Sequence, residues 1–211
     1  MSKPVIIVCA TNLGKAVMEV FKSNEVVVYG FLDDDQKLHG KEIDDVTVLG
    51  ATDAPEYRKI IGKTCDVFVA SDDNAWRARM IKDLRETRET MPVNAIHKSA
   101  WIAASAILHH GCLINQGVKI GSEASIGSHC IINAGAVIDY NARIGDFVQI
   151  GAGAVISADV SVGDGAFIGA GATIIPGITI GDGGRVGAGS VVIANVGKNE
   201  TVFGNPAKTI K

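Results

Sequence analysis

Along the second half of the chain, aliphatic residues recur with a period of six. Every sixth residue from Ile96 to Val192 is Ile, Leu or Val, without an interruption. Four positions after each of them comes a second, mostly small residue, such as Ala100 or Cys112. A period of six fits neither an α-helix nor a simple alternating strand. It predicts strands of about four residues joined by two-residue corners, so that three sides form one 18-residue coil of a parallel β-helix.

This pattern predicts between five and six stacked coils over roughly 100 residues, with residues 18 apart lying one above another. Cys112 and Cys130 then become neighbours in an inward column. The four cysteines lack the CxxC spacing of a zinc or redox site, and we interpret them as buried thiols. A disulfide between Cys112 and Cys130 is not expected in a reducing compartment.

The first half of the chain alternates apolar runs with helical patterns, which predicts a parallel sheet covered by helices. The predicted strands are 4–10, 26–32, 46–50 and 66–71, and the predicted helices lie near 15–23, 53–61 and 73–89. We therefore predict a small α/β Rossmann-like domain over residues 1–90, followed by an all-β parallel β-helix over 91–211. The boundary is expected near Met91 and Pro92.

The turn after the first strand is the place where a dinucleotide-binding motif would lie. The GxGxxG fingerprint would need glycines at Cys9 and Thr11, and Gly14 alone remains, which argues against NAD. The loop 11–14 still opens a predicted helix, whose N–H groups suit an anion. Acidic residues 33–35 follow the second strand and suggest either hydroxyl recognition at the sheet edge or a solvated acidic turn.

Composition and charge exclude several functions. A net charge of −3 gives no general attraction to nucleic acid. No run of 18 apolar residues and no basic, apolar leader are present, so we expect a soluble, cytoplasmic protein without membrane contact. A β-helical carbonic anhydrase would need three histidines converging on zinc, and His109, His110 and His129 do not match that arrangement. No metal site is predicted.

Motifs along the whole chain resemble those of bacterial sugar acetyltransferases in the hexapeptide-repeat acyltransferase family. They are FLDD at 31–34, DNAWR at 73–77, NAIH at 94–97, NAGAVI at 133–138 and the GNPAK tail at 204–208. The similar proteins include sialic-acid O-acetyltransferases and N-acetyltransferases of nucleotide-linked 4-amino sugars. The resemblance implies a left-handed β-helix, a homotrimer, acetyl-CoA as acyl donor and a nucleotide sugar as acceptor.

The resemblance also implies roles for individual residues. Asn12, Leu13, Asp33 and Asp34 would bind the nucleotide sugar. Gln149, Ala170 and Ala188 would contact acetyl-CoA, and Gln149 stands where the family often has a histidine. Three cations would be available to the CoA phosphates: Arg185, Lys198 and Lys208.

The expected catalytic base is replaced. The family carries a histidine and an acidic residue directly after the NAGAVI-type stretch, where this chain has Tyr140 and Asn141, while Asn133 fits the pattern. We place the candidate catalytic site at these three residues. Tyrosine ordinarily has a pKa of about 10 and histidine about 6.5, which makes tyrosine a poorer base by about 4–5 kcal/mol at neutral pH.

The replacement leaves three interpretations open. An amine acceptor can lose its proton to solvent before attack, which favours N-acetylation over O-acetylation. Another histidine, with His129 the best placed, would take over as base. Alternatively the protein is a weakened or inactive relative that binds a sugar or CoA as a regulatory or scaffold subunit.

Overall fold

The computed structural model describes residues 2–209, which divide into two compact units between Lys98 and Ser99. The first unit contains β1 (Val5–Val8), α1 (Asn12–Ser23), β2 (Val28–Leu32), a 3-10 turn (Gln36–Leu38), β3 (Glu42–Ile43), β4 (Val46–Gly50), α2 (Pro55–Arg58), β5 (Asp66–Val69), α3 (Asn74–Arg88) and β6 (Ala95–Ile96). No helix within residues 2–209 has the length and apolar character needed to cross a membrane.

A five-stranded sheet with the order β3-β4-β2-β1-β5 forms the centre of the first unit. β4, β2, β1 and β5 run parallel, and β3 pairs antiparallel with β4 at the edge. Residues of β1 are fully apolar and buried, as expected for a strand covered on both faces. α1 packs on the sheet through Phe21, whose ring meets Phe68 of β5 edge-on at 6.0 Å. The predicted parallel sheet is confirmed.

Two local predictions in this unit were wrong. The segment 11–14 is not a free turn, because α1 already begins at Asn12 and Thr11 is its N-cap. The helix predicted over 53–61 is a single turn, Pro55–Arg58. Pro55 is its first residue, a position where proline is favoured. Gly62 follows four residues after the last residue of the helix.

The second unit is a parallel β-helix of two-residue strands. They are β7 (Trp101–Ile102), β8 (Ile107–Leu108), β9 (Leu113–Ile114), β10 (Lys119–Ile120), β11 (Ser125–Ile126), β12 (Ile131–Ile132), β13 (Val137–Ile138), β14 (Arg143–Ile144), β15 (Gln149–Ile150), β16 (Val155–Ile156), β17 (Ser161–Val162), β18 (Phe167–Ile168), β19 (Thr173–Ile174), β20 (Thr179–Ile180), β21 (Arg185–Val186) and β22 (Val191–Val192). From β7 to β19, each strand pairs in parallel with the strand three further along, so that Ile120 lies beside Ile138 and Ile138 beside Ile156. The predicted 18-residue coil is confirmed.

The aliphatic column fills the interior, as predicted. Ile120, Ile126 and Ile132 are fully buried. Ile102 and Leu108 in the first coil are only half-buried, because one side of that coil has no coil stacked on it. Cys112 and Cys130 are buried, unoxidised, and donate their thiol hydrogens to the carbonyls of Gly127 and Gly145, each at 3.1 Å.

The lengths of strands and corners differ from the prediction. The strands have two residues and the corners four, whereas strands of about four residues and corners of two were predicted. One residue of every corner from 111 to 189 has a left-handed backbone. Glycine holds this place at 111, 117, 135, 153, 165, 171, 177, 183 and 189, and the others are Glu123, His129, Asn141, Phe147 and Asp159. Left-handed backbone strains residues that carry a Cβ, so these five are conformational outliers.

The last described residues form an antiparallel pair, β23 (Thr201–Gly204) and β24 (Ala207–Thr209). β23 lies beside β21 and extends the sheet of β6, β9, β12, β15, β18 and β21, which we call the third sheet. The ring of Phe203 lies over Gly187, where an added Cβ would come within 1.9 Å of the ring. The segment 201–204, which leads into the GNPAK tail, therefore covers the end of one β-helix face.

Candidate functional site

A cavity of about 310 Å³ opens at the carboxyl ends of the parallel strands in the first unit. Such edges are where open α/β sheets bind ligands. We call it the acidic pocket, and it is lined by Cys9, Thr11, Asp33, Asp34, Thr52, Ser71, Asp73 and Trp76. Two predicted substrate residues, Asp33 and Asp34, therefore lie together. Asn12 and Leu13 belong to the first turn of α1 and are not part of this lining.

The two carboxylates have different surroundings. Asp33 is half-buried, and its oxygens accept hydrogen bonds from the N–H groups of Ala10 at 2.8 Å and Asp35 at 2.9 Å. Asp34 is exposed and accepts one bond, from the Thr52 N–H at 2.9 Å. Asp33 thus fastens the ends of β1 and β2 together, and Asp34 offers more free acceptor capacity to a ligand hydroxyl.

The first loop passes close to α1. Cys9 has a φ of +80°, and its carbonyl oxygen lies so near Gly14 that a Cβ there would be 2.2 Å away. Burial raises the pKa of the Cys9 thiol to about 12, with further contributions from Asp33 and Asp34. The thiol therefore remains protonated at neutral pH and is not a nucleophile.

The far wall of the acidic pocket comes from the start of α3. Asp73 caps this helix by accepting the N–H groups of Ala75 at 2.9 Å and Trp76 at 3.0 Å, which lowers the pKa of its carboxyl group. Arg77 is almost completely buried behind it, and its guanidinium donates to the Ser71 carbonyl and to Asn74 Oδ1. The buried arginine fixes the loop that carries Ser71 and Asp73.

A second cavity of about 480 Å³ lies beside the acidic pocket and shares two lining residues with it, Thr52 and Trp76. We call it the α3 pocket, and it is lined by Thr52, Asp53, Arg58, Trp76, Arg79, Met80 and Asp83. Sequence reasoning missed it. The available signal was the spacing of residues 76, 79, 80 and 83, which places them on one face of a helix.

In the second unit, Tyr140 and Asn141 lie at the corner between β13 and β14, and Asn133 lies at the preceding corner, between β12 and β13. Tyr140 is 50% exposed, and its N–H donates to Asp139 Oδ1 at 2.8 Å. Asn141 has a φ of +57° and donates its side-chain amide to Asp159 Oδ1, one coil further on, at 3.2 Å. Asp159 also donates its N–H to the Tyr140 carbonyl at 3.2 Å. Position 141 has no carboxylate, but the Asp159 carboxylate lies beside it in the next coil.

Asn133 and Gln149 take part in contacts between neighbouring coils of the β-helix. The Asn133 side chain donates to the Ile150 carbonyl of the next coil at 3.1 Å, which ties two coils together. Gln149 lies in the outward ladder of the third sheet between Ile131 and Phe167. Arg185, the next member of this ladder, lies 4.8 Å from the Phe167 ring centroid.

Ala170 and Ala188 stack at the next corner and are both exposed. Gly189 donates its N–H to the Ala170 carbonyl at 2.9 Å, which fixes this stacking. The glycines before them have no room for a side chain, because a Cβ on Gly169 would lie 2.4 Å from the Ala188 nitrogen. At residues 169–170 and 187–188 this corner therefore presents only backbone and methyl groups of its own.

Stacked corner residues in the preceding column carry aspartates instead. The Asp146 N–H donates to Asp164 Oδ1 at 2.8 Å, and the Asp164 N–H donates to Asp182 Oδ1 at 3.3 Å. In the part of the chain that the structure describes, the N–H groups of Ala152 and Ala170 have no such acceptor. The methyl groups at 170 and 188 cannot accept a hydrogen bond, so this corner has backbone N–H groups without a side-chain acceptor where the aspartate corner has satisfied ones.

His129 does not project from the β-helix. Its side chain is 5% exposed, its ring centroid lies 5.0 Å from that of Phe147, and its Nδ1 would be 2.2 Å from a Cβ on Gly111. The idea that His129 serves as a substitute base was wrong, because the turn in its own coil directs the ring onto neighbouring coils. Among residues 2–209, no three His, Cys, Asp or Glu side chains form a metal-binding group.

A third cavity, of about 380 Å³, lies along β14, β17 and β20. Outward side chains of Arg143, Ser161 and Thr179 and the corner residues Asp164 and Asp182 contribute to it. It contains none of the site residues predicted from the sequence.

Family models match both units. The PglD N-terminal domain matches residues 4–84, and the bacterial transferase hexapeptide (six repeats) matches 123–158, 141–176 and 159–194. Among curated proteins, no sequence matches this chain.

Solved structures match over the full length. PerB from Caulobacter crescentus, in complex with CoA and GDP-perosamine, is 33% identical, with 100% of this chain and 99% of PerB covered and a TM-score of 0.87. A His-to-Ala variant of the GDP-perosamine N-acetyltransferase from the same organism, also with CoA and GDP-perosamine, is 32% identical, with 100% and 98% covered and a TM-score of 0.87. The acetyltransferase domain of PglB from Neisseria gonorrhoeae is 25% identical, with 99% and 100% covered and a TM-score of 0.88.

These matches confirm the predicted fold class, a Rossmann-like domain followed by a left-handed parallel β-helix. They also confirm the resemblance read from the motifs. The chain belongs to the hexapeptide-repeat bacterial sugar acetyltransferases that carry a PglD-type N-terminal domain.

Proposed function

We propose that this protein transfers the acetyl group of acetyl-CoA to an amino group of a nucleotide-linked sugar. The observation that carries the proposal is the full-length similarity to PerB, at 33% identity, whose structure holds CoA and GDP-perosamine. In the reaction the sugar nitrogen attacks the thioester carbonyl carbon, the C–S bond breaks, and the sulfur leaves as the thiol of CoA after taking up a proton. The active form is proposed to be a homotrimer.

The donor is proposed to bind at the corner of Gln149, Ala170 and Ala188. Pantetheine contains amide carbonyls, which need hydrogen-bond donors, and the N–H groups of the exposed residues Ala152 and Ala170, which donate to no backbone carbonyl, are proposed to provide them. Methyl side chains at 170 and 188 let the pantetheine chain approach the backbone. The aspartate corner six residues earlier would repel the phosphates of CoA and has its N–H groups occupied.

Calorimetric titration with acetyl-CoA tests this placement. The wild-type chain is expected to bind at micromolar concentration with one site per subunit. Ala170→Asp copies the capping that Asp164 provides to Asp146, so we expect an unchanged thermal unfolding midpoint and acetyl-CoA binding weakened by about 100-fold. Asp146→Asn is the matched control, with normal binding, because Asp146 lies in the aspartate corner and caps the N–H of Ser128. If acetyl-CoA and free CoA both fail to bind the wild-type protein, the transferase proposal is wrong.

The acceptor is proposed to reach the corner of Tyr140 and Asn141, with Asn133 at the preceding corner. With no histidine at this corner, a proton that leaves the attacking amine needs another acceptor. The Asp159 carboxylate is exposed, contacts Asn141 at 3.2 Å and lies one coil from Tyr140, so we propose it as this acceptor. An amine suits such a weak base better than a hydroxyl, because its nucleophilic form exists in water near neutral pH.

Replacing Asp159 with Asn tests this role. We expect kcat with an amino-sugar acceptor to fall by about 100-fold while KM for acetyl-CoA stays unchanged, because the carboxylate acts in proton transfer. Asp159→Glu is expected to recover part of the rate, and Asp182→Asn to leave it normal. Equal kcat values for Asp159→Asn and wild type would rule out the carboxylate as proton acceptor.

A second function is favoured by the Tyr140 and Asn141 pair itself. If no residue replaces the family's histidine, the protein binds a nucleotide sugar or CoA without turnover and acts as a regulatory or scaffold subunit. A His-to-Ala variant of the Caulobacter enzyme holds both CoA and GDP-perosamine, so loss of a histidine is compatible with binding in that protein. Measurable turnover by the wild-type chain would exclude this alternative.

A further inference from the structure

The backbone N–H groups at the corner of Tyr140 and Asn141 are engaged within the protein. The Tyr140 N–H donates to Asp139 Oδ1 at 2.8 Å, and the Asn141 N–H donates to the Ser122 carbonyl of the preceding coil at 3.0 Å. The Ala142 N–H donates to the Asp139 carbonyl at 3.4 Å. Enzymes that transfer acyl groups often use backbone N–H groups to stabilise the oxyanion that forms on the attacked carbonyl. At this corner such a hydrogen bond therefore has to come from a side chain.

The Tyr140 phenol is the side chain best placed to provide it. Tyr140 is half-exposed, and its carbonyl accepts the N–H of Asp159 at 3.2 Å, so its backbone is fixed while its ring reaches solvent. The residues stacked on it in the next two coils are Ala158 and Pro176, whose side chains contain no polar atoms. The neighbouring Asn141 amide already donates to Asp159 Oδ1. A phenol ordinarily keeps its proton at neutral pH, and can therefore donate it in a hydrogen bond.

Acyl transfer to an amine needs two groups besides the reactants. One accepts the proton of the amine, and the other donates a hydrogen bond to the oxygen that becomes negative. The Asp159 carboxylate has been proposed above as the proton acceptor. Tyrosine is among the side chains that form oxyanion holes, because its hydroxyl stabilises an oxyanion without giving up its proton. The exchange of histidine for Tyr140 then changes which of the two tasks this position performs.

We propose that the Tyr140 hydroxyl donates a hydrogen bond to the carbonyl oxygen of the acetyl thioester as negative charge develops there. The sugar nitrogen forms its bond to the carbonyl carbon while the C=O π electrons move to the oxygen. These electrons return as the C–S bond breaks, and the proton lost by nitrogen passes through the Asp159 carboxylate to the leaving sulfur. The phenol keeps its own proton throughout. This inference rests on the proposed function for the reaction itself.

Tyr140→Phe removes the hydroxyl and keeps the ring. We expect kcat with an amino-sugar acceptor to fall by about 10-fold to 100-fold, because one oxyanion donor is lost from a half-exposed site. The Kd of acetyl-CoA and the thermal unfolding midpoint should stay unchanged, because the hydroxyl acts only once charge develops. Tyr29→Phe is the matched control with a normal kcat, since Tyr29 is also half-exposed but lies in β2 of the first unit and lines neither pocket there.

A second acyl donor separates this role from a structural one. In acetyldithio-CoA, sulfur replaces the carbonyl oxygen, and sulfur accepts hydrogen bonds only weakly. With this donor the loss of kcat caused by Tyr140→Phe should shrink to less than about 3-fold, relative to wild type with the same donor. A displaced corner would instead slow both donors by the same factor.

The inference is overturned if Tyr140→Phe and wild type have equal kcat with acetyl-CoA, or if the substitution costs the same factor with both donors. Either result, obtained with an active wild-type protein, leaves the proposed acetyl transfer standing. Absence of turnover by the wild type would instead overturn the proposed function together with this inference. Tyr140→His does not distinguish the two tasks, because an imidazole that has taken up the amine proton is itself a hydrogen-bond donor.

Discussion

Tyr140→His is expected to raise the kcat of N-acetylation by about 100-fold to 10,000-fold, the usual contribution of a positioned general base. Tyr140 is 50% exposed at its corner, so an imidazole fits without repacking the interior. Release of the CoA thiol, followed colorimetrically with an amino-sugar acceptor, measures the gain. Tyr140→Phe is the control, and an unchanged rate for it would show that the phenol contributes nothing in the wild type.

Restoring the acidic partner as well needs a third substitution. The Asn141 amide donates to Asp159 Oδ1 at 3.2 Å, so Asn141→Asp alone would remove this hydrogen bond and place two mutually repelling carboxylates together. Combining Tyr140→His, Asn141→Asp and Asp159→Asn reverses the hydrogen bond and keeps it. We expect this triple variant to be at least as active as Tyr140→His. No gain from either variant, with acetyl-CoA still bound, would place the divergence of this chain in its acceptor site rather than in its base.

Gly169→Ala is expected to lower the free energy of unfolding by about 3 kcal/mol, near the upper end for overpacking. A Cβ there would lie 2.4 Å from the Ala188 nitrogen and 2.7 Å from its Cα, and these backbone atoms belong to the stacked coil. Two other glycines serve as controls that separate a clash with backbone atoms from left-handed strain and from a clash with a side chain. Gly171 has a φ of +65° with open space around it, and Gly187 faces the movable ring of Phe203. We expect Gly171→Ala to cost about 1–2 kcal/mol from left-handed strain alone, with Gly187→Ala in between.

Thermal or denaturant unfolding of the three glycine variants provides the measurement. The order of destabilisation, Gly169 first, follows from whether the obstacle is backbone or a side chain. If Gly171→Ala is the most destabilised variant, the stability of the β-helix depends more on left-handed backbone conformation than on the spacing between coils. Acetyl-CoA binding should fail in Gly169→Ala at temperatures where the protein is still folded, because the clash displaces the Ala188 corner.

Much of the fold follows from local patterns. The sixfold aliphatic period predicts the 18-residue coil because each side repeats the same inward position, and stacking then needs no long-range information. The lengths of strand and corner were predicted the wrong way round. The period reports which residue points inward and does not report which residues bend. The left-handed positions at Glu123 and Phe147 carry no glycine signal, so the sequence does not reveal them.

The candidate site was predicted only in part. Asp33 and Asp34 follow a strand directly, and strand ends of a parallel sheet converge, so their place in a pocket follows from topology. Trp76 and Arg79 meet Thr52 through the packing of α3 against a distant loop, which no local pattern encodes. The uncapped N–H groups at Ala152 and Ala170 are visible only once Asp164 and Asp182 are seen to cap the equivalent groups nearby.

The 18-residue register also restricts how the length of this chain can vary. Adding or deleting one whole coil leaves every later side chain on its original face of the β-helix. A change of six residues moves all later residues to the next face, and a change of one residue turns the buried Ile column towards solvent. Tyr140 and Ala170 therefore keep their relative placement through insertions at the corners or in steps of a full coil. Insertions and deletions between relatives should be confined to corner loops or occur in multiples of 18 residues.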